Sequence, residues 1–182
     1  MDWLRTLTAV GVVVATALFS GHGSVQPVAA KTQILAGTTL EADEQTVADI
    51  LAVFDRAEKA IESRDLDGLM ALYSKSYNYH GLHKSDIRKI WSDLFEQYRN
   101  IESVHLFTRI MKVGDGSDTI VEMTCTGSLR AVSKTSNLRV PIDSWYGEVH
   151  YLAQEDGAWR IRGNVGDRPT VLPFGTAPHP LF

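Results

Sequence analysis

One cysteine, Cys125, in 182 residues excludes an internal disulfide, so the fold has to be held by its core. Proline is scarce where structure is dense. Between Ala30 and Asn164 only Pro141 interrupts the chain, while four of the six prolines crowd into Pro169, Pro173, Pro178 and Pro180. The one extended apolar run, Leu7 to Phe19, falls short of the ~20 residues a spanning helix requires. There is no strong excess of either charge. The net value of −4 argues against nucleic acid or an anionic membrane as partner. Low-complexity tracts and internal repeats are absent too, which leaves a chain whose size and 44% hydrophobic content suit one ordinary domain.

Residues 1–30 carry a short basic start with Arg5, the apolar run, then a polar stretch ending in Val28-Ala29-Ala30. That pattern predicts a secretory signal peptide cut after Ala30, and a periplasmic or secreted product with no stable membrane span. No cysteine lies near the cut, which excludes a lipoprotein.

Residues 31–43 show no helical period and read as a leader, in which Thr38 and Glu41 could form a capping box. From Glu44 to Ser63, Val47, Ile50, Leu51, Phe54, Ala57 and Ile61 recur at helical spacing. Leu66, Leu69, Met70 and Tyr73 predict a second, shorter helix, and Ser76 to Leu82 a short strand or turn. Ser85 is placed to cap a third helix with the stripe Ile87, Ile90, Trp91, Leu94, Phe95 and Tyr98. The period then becomes two. Ile101 to Val113 and Thr119 to Val132 read as strands about the turn Gly114-Asp115-Gly116-Ser117, the second with Cys125 facing inward. Helices followed by antiparallel strands predict an α+β fold with the helices on one face of the sheet.

Asp143 to Asn164 reads as a β-hairpin. A three-residue loop, Glu155-Asp156-Gly157, would pair Gln154 with Ala158. In that register Trp145, Val149, Tyr151 and Ala153 share the inner face with Trp159 and Ile161. Tyr146, Glu148, His150 and Leu152 then lie outside with Arg160 and Arg162. Shifting the pairing by one would seat both arginines beside Val149 and Tyr151, and the pattern argues against it. Residues 165–182, with their prolines, form a tail whose apolar residues could strap onto the domain.

The stretches FDRAEKAIESRDLDGLMALY from Phe54, WSDLF from Trp91 and DGAWRI from Asp156, in this order of elements, resemble the nuclear transport factor 2-like superfamily of SnoaL-like and ketosteroid-isomerase-like proteins. The resemblance spans residues 44–164. It implies three helices packed on a strongly curved antiparallel sheet, the cystatin-like cone or half-barrel, with a pocket between. It also implies a base just after the second helix, where this chain has His80 or Tyr79, and a second acidic group on an inner strand, where Asp143 has the required parity. Neither His80 nor Tyr79 is the carboxylate used by the isomerases. Superfamily members also often pair through their sheets, which implies a homodimer.

His80 and Asp143 are therefore the candidate catalytic pair, an aspartate orienting an imidazole that titrates near neutrality. Phe54, Tyr79, His80, Trp91, Asp143, Trp145 and Tyr151 are the candidate lining for a small apolar or aromatic ligand. No metal is expected, because His80, His83 and Asp86 fall in a turn without fixed geometry, and no cofactor motif is present. Cys125, far in sequence from any histidine, reads as a buried inert thiol. The expected role is an exported small-molecule-binding or accessory domain. A small isomerase- or dehydratase-type enzyme and a protein-interaction module remain the alternatives.

Overall fold

The computed structural model describes residues 32–79 and 81–163. The first element is a strand, β1 (Thr32–Glu41), which pairs in parallel with the later β4 (Tyr98–Val113). The segment read as a leader thus forms one edge of the sheet, and that sheet is mixed rather than purely antiparallel. Helix α1 (Glu44–Ser63) has the predicted bounds. Its cap is Asp43, not Thr38 and Glu41. The Asp43 carboxylate accepts from the Thr46 amide (2.8 Å) and hydroxyl (2.7 Å). Those bonds, with help from Lys112, hold its pKa well below the usual carboxylate range. Helix α1 stops at Arg64, whose φ of 59° lies in the left-handed region.

Helix α2 (Leu66–Met70) is capped by Asp65 and leads into a two-stranded ribbon, β2 (Asn78–Tyr79) with β3 (Leu82–His83). Helix α3 (Lys84–Gln97) starts from His83, whose amide donates to Asp86 Oδ2 at 2.8 Å, so Ser85 is inside the helix rather than its cap. The main sheet continues with β5 (Ile120–Ser133), β6 (Arg139–Glu155) and β7 (Ala158–Gly163), in the order β1-β4-β5-β6-β7. Three helices on one mixed sheet make an α+β fold. The core lies between the helix layer and one sheet face, with Ile50, Phe54, Leu69, Ile87, Trp91, Phe107, Met123 and Leu152 essentially closed to solvent.

The β6–β7 hairpin departs from the expected register. Its loop is Asp156-Gly157, both at positive φ (52° and 75°), which is the two-residue turn whose twist matches that of the strands. Glu155 therefore pairs with Ala158, Leu152 with Ile161, and Ala153 with Arg160. Leu152, Trp159 and Ile161 are buried together, whereas Tyr151 and Ala153 share the open face with Arg160. The pattern misled because Trp145 is also buried, and carrying its parity along the strand puts Tyr151 inside. A bulge resets that parity. Tyr146 and Gly147 stand opposite the single Thr126, so Gly127 pairs with Trp145 while Cys125 pairs with Glu148.

Candidate functional site

Because directly opposed residues share a face, the pairings define what the covered side of the sheet presents. One row is Ser103, Leu129 and Asp143; the next is His105, Gly127 and Trp145. Then come Phe107, Cys125 and Glu148, followed by Ile110, Met123 and His150. Polar groups thus recur along a face whose other members belong to the core. His105 and His150 are each 1% exposed, and Ser103 is 2% exposed.

Several contacts order this face. The Phe54 ring of α1 meets His105 and Phe107 at centroid distances of 4.9 and 5.0 Å. His105 also lies 5.2 Å from the Trp145 ring, and its Nδ1 is 3.4 Å from Ser103 Oγ. That approach requires Gly127. A Cβ there would sit 2.1 Å from the Val104 carbonyl oxygen and 2.3 Å from Trp145 Cζ2. With the position bare, Trp145 crosses the row and its Nε1 donates to Cys125 Sγ at 3.3 Å. Burial pushes the Cys125 thiol up to about 11, with Glu148 adding to the rise, so it is a protonated core group at neutral pH. Tyr79, 2% exposed, donates its hydroxyl to Glu148 Oε2 at 2.9 Å. On the far side of the core Trp91 Nε1 donates to the Tyr73 hydroxyl at 3.0 Å. Burial raises the pKa of Tyr73, and that hydrogen bond works against the rise.

Of the expected lining residues, Phe54, Tyr79, Trp91 and Trp145 lie in the core between helices and sheet, and Asp143 is half-buried in the row with Ser103 and Leu129. Tyr151 does not belong with them. It faces the open side, its hydroxyl 3.4 Å from Glu122 Oε2. His80 lies outside the described residues, and so does its expected pairing with Asp143. Sequence reasoning missed Ser103, His105, Glu148 and His150. The first two alternate with the apolar Val104 and Leu106, a period that does not mark them as inward, and a shift in pairing after Phe107 puts Ile110 on their face. Glu148 and His150 were hidden by the bulge, for which Gly147 was the only signal. Among the described residues no cluster of histidine, cysteine and carboxylate side chains is arranged to hold a metal ion.

No family model matches the chain, and no curated protein sequence matches it. Solved structures do match in shape. Aln2 from a Streptomyces species is 12% identical with a TM-score of 0.52, the match covering 68% of this chain and 90% of that one. A proposed aromatic ring hydroxylase from Novosphingobium aromaticivorans is 13% identical with a TM-score of 0.50, covering 68% and 88%. A conserved protein from Planctomyces limnophilus is 12% identical with a TM-score of 0.56, covering 66% and 94%. At such identities the likeness is one of fold alone.

Proposed function

We propose that this chain is an exported small-molecule-binding domain, its ligand held between the helix layer and the covered face of the sheet. The observation that carries the reading is the bulge at Gly147, which turns Glu148 and His150 toward the face where Ser103, His105 and Asp143 already stand among aromatic and aliphatic core groups. A face that served only as core gains nothing from carboxylates and imidazoles, whereas a ligand site needs a few polar groups in an apolar lining. Native mass spectrometry of protein purified without added ligand tests it. A retained small molecule, lost on His105→Ala in a variant that still unfolds cooperatively, is the expected result. Retention unaffected by substitutions on the covered face would overturn it.

A second reading is favoured by imidazole and carboxylate groups sharing one face: a small enzyme that moves a proton on an apolar substrate, in the manner of an isomerase or dehydratase. Retention of the ligand unchanged separates binding from turnover. The His80–Asp143 pair belongs to this reading, and His80→Ala should then reduce ligand retention more than stability. Export is supported by the first thirty residues, whose basic start, apolar run and Val28-Ala29-Ala30 ending have the pattern of a cleaved signal peptide. N-terminal sequencing of exported protein should begin at Lys31; an intact Met1 in membranes would replace export with anchoring.

A further inference from the structure

Glu148 is where the covered face departs furthest from ordinary core. A regular strand that carries Trp145 inward would carry Gly147 and Val149 inward as well, and would leave Glu148 on the open face in water. The chain instead places Gly147 at φ 64°, its amide donating to Thr126 Oγ1 at 3.0 Å, and seats Glu148 in the row of Phe107 and Cys125, both 0% exposed. Bulges that re-aim a single side chain in this way recur beside functional sites.

A carboxylate half withdrawn from water beside apolar neighbours is unfavourable unless its charge is met. Glu148 makes one hydrogen bond among the described residues, from the Tyr79 hydroxyl to Oε2, and that donor is neutral. No lysine or arginine pairs with it among the described residues. Lys112, two rows along, is 3.0 Å from Asp43. One row along the same strand stands Trp145, and beyond Cys125 in Glu148's own row stands Phe107, aromatic rings of the kind whose faces attract cations.

We infer that Glu148, oriented by Tyr79, anchors the cationic group of a small molecule with an aromatic or apolar body, an amine or other nitrogen cation. The inference rests on the ligand reading above and narrows it by charge. His105 and His150 stand in adjoining rows, and if either supplied the countercharge a cationic ligand would gain nothing from Glu148.

Calorimetric titration of the full chain at pH 7 with 2-naphthylmethylamine, 2-naphthylmethanol and 2-naphthoate decides between these. The ammonium compound should bind about tenfold or more tightly than the alcohol, as a charge-assisted contact requires, with the carboxylate weakest. Glu148→Gln should abolish that preference, and Tyr79→Phe should reduce it partway. Binding of the alcohol with no gain for the ammonium, or a preference that survives Glu148→Gln, overturns this inference alone. If none of the three binds, the ligand reading of the covered face fails, and this inference fails with it.

Discussion

The tightest constraint on any single residue falls on Gly127. Its φ is unremarkable, and what excludes a side chain there is the crossing of Trp145 above it and the Val104 carbonyl beside it. Gly127→Ala should therefore destabilise the fold by at least about 1–3 kcal/mol, read from urea unfolding, because both obstacles are parts of packed strands. An unchanged midpoint would mean that Trp145 can vacate the row at little cost. Cys125, under the same indole, gives a pH prediction. Its folded pKa is raised to about 11 by burial, against about 8.5 in an unfolded chain. The folded state thus holds the thiol proton more tightly. The corresponding stability is fully present below about pH 8.5 and is lost as pH rises through the folded value. Thermal midpoints measured from pH 8 upward should fall, and the native thiol should not react with thiol reagents at pH 8 until denaturant is added.

Among elements, the β6–β7 hairpin separates its two faces most sharply. Trp159 packs against the core at 5% exposure, whereas Arg160 is on the open face and reaches the Ala71 carbonyl. Trp159→Ala should cost about 3–5 kcal/mol, and Arg160→Ala should stay within about 1 kcal/mol. Equal, large losses in chemical denaturation would mean that Arg160 is also buried, for example against a second copy of the chain. The hairpin is clasped to the rest of the molecule beside its turn, where Glu155 accepts from the Ser74 hydroxyl and, at 3.0 Å, from the Lys75 amide. Next to this clasp the two-residue turn, Asp156 and Gly157, fixes the pairing of Glu155 with Ala158 and of Leu152 with Ile161, up to the shift at Tyr151.

For the whole molecule, the uncovered face of the sheet poses the remaining question of assembly. Tyr146 is 90% exposed at the bulge, and Val149 and Tyr151 lie half-buried on the same side. We propose a homodimer through this face. Sedimentation of the purified protein should give twice the chain mass, and Tyr146→Glu should shift it toward monomer while leaving the covered-face site intact. A monomer at all concentrations would withdraw the proposal.

Helix positions were legible in the sequence because they depend on neighbours three and four residues away, and α1 runs over the residues its apolar period marks, Glu44–Ser63. The two long strands β4 and β5 were legible for the same local reason, as was the inward side of Cys125. What the tertiary structure alone decided are features that a strand's period cannot carry. Whether Thr32–Glu41 pairs depends on an edge offered by β4, more than sixty residues away. Which way Glu148, His150 and Tyr151 point depends on one extra residue opposite Thr126. A strand has a period of two, so a single bulge inverts every side chain beyond it, and only the partner strand reveals where the count slips.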